Sequence, residues 1–193
     1  MSMLDGVSQC WWLSERCTVN WDAWSAVGTV AAVFAAVFAP SIQRRLARRK
    51  INALFGMAFQ RDIATVKARL MSLSTRFPLD PDRDSAWAVH SAIQFGGTSQ
   101  PEFLKALDVL QAFAAREVDV SKWGAVDLEL AAKVAALTVS LKAFVQGAEV
   151  LATTNPDDGW KDYMGVLHAA EQRARRDAEL ALAAVNGAIA SFG

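Results

Sequence analysis

Arg83 and His90 are the residues whose types and spacing come closest to a catalytic pair. Histidine exchanges a proton near neutral pH and is the most frequent acid/base group in enzymes. The two residues lie seven positions apart, which is about two turns of an α-helix. On one helix they would project from the same face, with Trp87 between them. The sequence therefore offers Arg83 and His90 as candidates for acid/base catalysis. The alternative is a solvated arginine near a helix cap and a histidine at the edge of a helical domain.

The arrangement resembles the Arg-x(4–6)-His motif of HEPN ribonucleases, where a polar residue often follows the arginine, as Asp84 does here. The resemblance covers residues 83–90. It implies an all-helical fold and a composite site that forms where two such motifs meet across a dimer. It also implies that His90 would take part in acid/base chemistry on RNA.

Other catalytic chemistry has no basis in the sequence. The chain has two histidines, His90 and His168, on separate predicted helices and without the spacing of a metal-binding pair. There is no phosphate-binding glycine loop, nucleophile elbow or Cys/His pair. Asp157 and Asp158 are typical of a turn and a helix cap. We therefore expect no metal, no cofactor and no enzymatic activity.

A membrane-spanning helix is the strongest prediction from the sequence. Residues 23–39 form an uncharged apolar run, and the flanking residues extend it toward the roughly 20 residues that cross a bilayer. Trp21 and Trp24 lie at one interface, where tryptophan is favoured. A buried helix of a soluble protein would explain the run but neither flank. A cleaved signal peptide would need a basic N-terminal region, which this chain lacks.

A basic cluster follows the span and predicts its orientation. It consists of Arg44, Arg45, Arg48, Arg49 and Lys50, whereas Arg16 is the one cation before the span. Cytoplasmic flanks carry the excess of Lys and Arg, so we expect the N-terminus outside and the remaining chain in the cytoplasm of a bacterium. The cluster can also bind anionic lipid headgroups. Nucleic acid is not an expected partner, because the formal net charge of the chain is zero and no second basic patch is present.

These features predict three segments: an exported tail (1–21), a transmembrane helix (22–42) and a cytoplasmic domain (43–193). The tail contains both cysteines, Cys10 and Cys17. In an oxidising periplasm they could form a disulfide. That bond requires a loop, since the two residues would lie two turns apart on a helix, beyond the reach of a disulfide.

The body of the chain is predicted to be all-α, an antiparallel bundle of four or five helices that continues from the span. The first helix should run through Arg76. A short second helix should start at Asp80-Pro81 and stop at Gly96-Gly97. Ser99 and Glu102 predict a capping box for the third helix, and Asp119 or Ser121 a cap for the fourth. The last helix should follow a turn at residues 155–159.

Small residues line one face of the predicted span and suggest self-association. The row consists of Ser25, Gly28, Thr29, Ala32 and Ala36. Such residues let transmembrane helices approach closely, although they are also frequent in transmembrane helices generally. A pore would require several copies, so we expect a homo-oligomer in contact with membrane lipids.

The layout as a whole resembles small bacterial or prophage membrane proteins of anti-phage systems. These include membrane accessories of RNA-targeting CRISPR nucleases, which carry a degenerate HEPN-like fold and assemble into pores. The resemblance implies an oligomeric membrane effector. Two other hypotheses stay open: a non-enzymatic anchor or scaffold whose bundle binds a cytoplasmic protein, and a membrane-tethered HEPN-type ribonuclease.

Overall fold

Helices form the described part of the chain. The computed structural model describes residues 21–116, 118–154 and 159–192. These ranges contain no strand. Their elements are α1 (Trp21–Arg76), α2 (Ala86–Phe95), α3 (Ser99–Ala114), a 3₁₀ turn (Val120–Trp123), α4 (Leu128–Thr153) and α5 (Trp160–Ala190). The prediction of an all-helical protein with one long apolar N-terminal helix is confirmed. The cysteines and the turn residues 155–158 lie outside the described residues.

The chain divides into two compact units, of which the first ends at Ala47 and the second comprises Arg48–Gly193. In the first unit, every side chain from Trp24 onward is exposed. This part of α1 is long and apolar enough to cross a membrane, with a mean hydropathy of 1.9 in its most apolar window and none of that window buried. The helix continues through Pro40. The stretch is therefore unlike the core helix of a soluble protein, whose apolar side chains are mostly buried.

The second unit, which we call the helical domain, encloses one hydrophobic core. Each helix contributes apolar side chains at three- and four-residue steps, the period that places them on one face. Fully buried members include Phe55, Ile63, Leu70, Ile93, Phe103, Leu107, Leu137, Leu141, Phe144 and Leu151. Most of the apolar residues that recur at these steps in α1 after Arg48, in α3 and in α4 are buried.

Two glycines allow close approach of helices in this domain. A Cβ atom at Gly56 in α1 would lie 2.9 Å from the carbonyl oxygen of Val185 in α5. A Cβ atom at Gly147 in α4 would lie 3.2 Å from Leu167, and the Gly147 carbonyl accepts a 2.8 Å hydrogen bond from Tyr163 Oη. The backbones approach closely at both positions because no side chain separates them.

Polar contacts continue the packing of α1 against α5. Gln60 Nε2 donates to Asn186 Oδ1 at 2.8 Å, and Lys67 Nζ lies 3.3 Å from Glu179 Oε1. Farther along, Arg175 in α5 reaches Ser74 Oγ at 3.5 Å. Residue numbers rise along α1 as they fall along α5 in this series of contacts.

The second helix begins later than predicted. It starts at Ala86 rather than at Asp80-Pro81, with Ser85 as its N-cap, and ends before Gly96 as predicted. The Asp80 carboxylate instead accepts a hydrogen bond from the backbone N–H of Asp82 at 3.1 Å, which holds residues 80–82 in an Asx turn. Aspartate favours this local turn as readily as a helix cap.

The predicted caps of the third and fourth helices are also wrong. α3 has Thr98 at its N-cap without a side-chain hydrogen bond, and the Glu102 carboxylate pairs with Arg76 instead of closing a capping box. Asp119 accepts from the backbone N–H of Ser121 and caps the 3₁₀ turn. The cap of α4 is Asp127, which accepts a 2.8 Å hydrogen bond from the backbone N–H of Glu129.

We expect Gly56→Ala to destabilise the helical domain. The added methyl would collide with a backbone carbonyl that can move only if α5 moves, at a cost of about 1–3 kcal/mol. Gly187→Ala is the matched control, because a Cβ atom there has no neighbour within 4 Å and helix propensity favours alanine by about 1 kcal/mol. Urea unfolding of both variants in mild detergent measures the difference. Equal stability of the two variants would contradict the close approach at Gly56.

Candidate functional site

The small residues in the apolar half of α1 are exposed. Ser25, Thr29, Ala32 and Ala36 are all exposed, and a Cβ atom at Gly28 would meet nothing within 4 Å. The Thr29 hydroxyl donates to the Ser25 carbonyl oxygen at 2.8 Å, so this polar group is satisfied inside its own helix. Hydroxyls satisfied in this way are compatible with an apolar surrounding.

Larger side chains and the interface residues occupy the rest of this helix. Phe34 and Phe38 stack with their ring centroids 5.9 Å apart. Trp24 is exposed, Trp21 is the first residue of α1, and the basic cluster from Arg44 to Lys50 is exposed as well. The described side chains from Trp24 to Ile42 are therefore all accessible to lipid or to a second copy.

The structure places Arg83 and His90 in different environments. Arg83 lies in the turn before α2 rather than on the helix, with an exposed side chain whose Nε is 3.9 Å from Asp80 Oδ2. His90 lies within α2 and is only 2% exposed. The helical register that would place both on one face does not extend to Arg83, because the helix begins three residues later.

His90 is enclosed by two tryptophans. Its ring centroid is 5.4 Å from that of Trp87 and 5.3 Å from that of Trp160 at the start of α5. Neither ring nitrogen has a hydrogen-bond partner among the described residues. Burial lowers the pKa of His90, since the charged imidazolium loses its hydration. An imidazole packed between aromatic rings in this way is not exposed to a macromolecular substrate.

A buried carboxylate in α5 is the polar group that the sequence analysis did not identify. Glu171 is 1% exposed. Its Oε1 lies 3.7 Å from Arg175 Nη1, and its Oε2 lies 3.9 Å from His168 Nδ1. Desolvation raises the pKa of Glu171, while the neighbouring Arg175, His168 and Ser74 oppose that rise. The side chains of Arg175 and His168 are partly exposed, so the group sits at the edge of the core.

The sequence contains a signal for this group. The buried residues of α5 recur at alternating three- and four-residue steps, and Glu171 occupies one of these positions between Leu167 and Ala174. A carboxylate at a core position, with a histidine three residues before it and an arginine four residues after it, predicts a buried polar cluster.

Neither polar group forms an evident reaction centre. Within the described ranges, no three His, Cys, Asp or Glu side chains converge as a metal site would require. His90 and Glu171 have different neighbours, aromatic rings in one case and the Arg175–His168 pair in the other. No protein-family model, curated protein or solved structure matches the chain.

We expect His90 to make the helical domain less stable in acid. Its folded-state pKa lies below the 6.5 of an unperturbed histidine, so the unfolded chain binds the proton more readily and stability falls as the pH drops below that value. As the pH falls from 7 to 5, wild type should therefore lose more stability than His90→Leu does. The difference between their unfolding free energies should change by at most about 1.4 kcal/mol per pH unit. Denaturant titrations across this range provide the measurement. A constant difference between the two proteins would show that His90 does not titrate in this way.

Glu171 should produce the opposite pH dependence. Its folded-state pKa lies above the reference value of 4.5, so its contribution to stability is largest below that pH and is lost as the pH rises through the folded pKa. Glu171→Gln should consequently gain stability relative to wild type as the pH rises from 4.5 toward 7. Glu179→Gln is the control, because it removes an exposed carboxylate eight residues farther along α5. The exposed ion pair of Glu179 with Lys67 contributes under about 1 kcal/mol to stability. If the stability of both variants follows the same pH profile, burial of Glu171 is not the cause of the pH dependence.

Proposed function

We propose that the chain is a single-pass protein of the bacterial inner membrane that assembles through its span and acts as an oligomeric membrane effector. The observation that carries this proposal is the fully exposed apolar stretch of α1. Such a surface needs either a bilayer or other copies of itself to cover it. A role in anti-phage defence follows from the resemblance in layout and is part of the proposal.

The basic cluster supports a defined orientation. Five cations follow the span within eleven residues, and cytoplasmic flanks carry such an excess. The tail would therefore lie outside and the helical domain in the cytoplasm. We propose an antiparallel bundle for this domain, supported by the opposite order of contact positions along α1 and α5.

Assembly would use the small-residue face of the span. Ser25, Thr29, Ala32 and Ala36 follow one another at three- and four-residue steps, and their small side chains permit close contact between helices. One helix cannot enclose a pore, so conduction needs several copies. The cationic cluster at the cytoplasmic mouth would disfavour cations in such a pore.

A ribonuclease function is less well supported than an effector function. A composite HEPN-like site requires Arg83 and His90 to face RNA together, whereas His90 is packed between Trp87 and Trp160. An anchor or scaffold is the competing non-enzymatic function. It would use exposed apolar residues of the helical domain, such as Val139 and Val166, each 70% exposed, to bind a cytoplasmic protein.

Enlarging the small-residue face should disrupt assembly. We expect Ala32→Ile with Ala36→Ile to reduce the oligomer mass in detergent and the ion flux through liposomes, because the larger side chains separate the helices. Ala31→Ile is the matched control, since position 31 lies on the side of Val27 and Phe34 in a regular helix. Native mass spectrometry and a liposome flux assay give the two measurements.

Two results would contradict the effector hypothesis. A wild-type chain that is monomeric in detergent and leaves liposomes tight would leave only the anchor function. Equal loss of assembly in the control and the double variant would show that the small-residue face is not the contact surface.

A further inference from the structure

One end of the helical domain combines cationic and exposed apolar side chains. We call it the juxtamembrane surface and define it by residues from three parts of the chain: Arg48, Arg49 and Lys50 in α1, Lys122 and Leu128 around the start of α4, and Phe192 after α5. Leu128 is 79% exposed and Phe192 is 52% exposed. These elements are far apart in sequence, so their proximity results from folding.

The segment before α4 is held against the beginning of the domain. The ring centroid of Trp123 lies 5.2 Å from that of Phe55, in an edge-on arrangement. The backbone N–H of Asp127 donates to Asn52 Oδ1 at 2.8 Å. Arg48, Asn52 and Leu128 line one cavity of about 320 Å³. Leu128 therefore lies close to the basic residues of α1.

The end of α5 reaches the same part of the domain. Gly56 would place a Cβ atom 3.1 Å from Ile189, and the backbone N–H of Phe192 donates to the Ile189 carbonyl oxygen. Phe192 follows directly and is exposed. It adds a second large apolar side chain near the residues of α1 that carry the cations.

The carboxylates around this surface already take part in hydrogen bonds or ion pairs. Asp119 accepts from Ser121 and lies 3.4 Å from Lys122, Asp127 caps α4, and Glu129 pairs with Lys133 at 2.7 Å. By contrast, Arg48, Arg49 and Lys50 form no ion pair with the described residues. The surface consequently has an excess of unpaired positive charge.

We propose that the juxtamembrane surface docks on the anionic phosphates of the bilayer, with Leu128 and Phe192 entering the headgroup region. Arg48 follows Ile42, the last residue of the predicted span, by six residues, which even fully extended reach no farther than about 20 Å. Each cation near an anionic leaflet contributes about 1 kcal/mol, and this attraction decays within a Debye length. The inference deepens the proposed membrane function, on which it rests, by assigning a lipid-binding role to the helical domain itself.

The test places a nitroxide on the full chain after Cys10→Ser and Cys17→Ser. One sample carries the label at Leu128→Cys. The control carries it at Val166→Cys, a similarly exposed position twenty residues before Asn186 in α5. Both chains are inserted in nanodiscs of phosphatidylcholine with or without phosphatidylglycerol. Power-saturation EPR then compares collisions with oxygen, which enriches in lipid, and with a water-soluble nickel chelate.

We expect the label at position 128 to show a several-fold higher ratio of oxygen to nickel accessibility than the label at 166 in phosphatidylglycerol nanodiscs. High salt or pure phosphatidylcholine should bring the ratio at 128 down to the value at 166, since both remove the electrostatic attraction. Equal ratios at the two positions in phosphatidylglycerol would overturn the docking. An equally high ratio at 128 in phosphatidylcholine would refute its electrostatic basis. Failure of the chain to enter nanodiscs at all would instead overturn the proposed membrane function.

Discussion

The main physical constraint on this chain is that none of the described side chains from Trp24 to Ile42 is buried. Eight large apolar side chains between Trp24 and Ile42 are about half exposed. At about 1.5–3 kcal/mol for each complete burial, covering them is worth on the order of 10 kcal/mol, as much as the whole stability of a typical domain. A bilayer or an assembly of spans can supply the apolar surface that covers them.

The helical domain has a hydrophobic core of its own. This core uses phenylalanine and leucine in α1, α3 and α4, whereas three of the seven buried residues of α5 are alanines, namely Ala174, Ala178 and Ala181. Alanine and glycine bring helix axes together, so at these positions of α5 the packing depends on backbone proximity. Gly56 and Gly147 allow the same kind of close approach between helix backbones. A domain packed in this way resists changes of volume at its helix contacts.

Sequence periodicity predicted the helices and the buried faces because both follow from the 3.6-residue repeat of apolar side chains. It succeeded for α1 through Arg76 and for the stripe from Phe103 to Leu110. It failed at helix starts, since Asp80 and Asp119 have the composition of caps but serve turns a few residues earlier. Local hydrogen bonding decides between a turn and a cap, and one-letter patterns do not distinguish them.

The buried polar groups were harder to predict for a different reason, because their environment comes from distant helices. Nothing near His90 in sequence indicates that Trp160 covers it. In the case of Glu171, the position in the stripe is visible in the sequence, but the contribution of Ser74 on α1 is not. For the predicted membrane face, the sequence supplied the residues, and the structure adds that Ser25 satisfies the hydroxyl of Thr29.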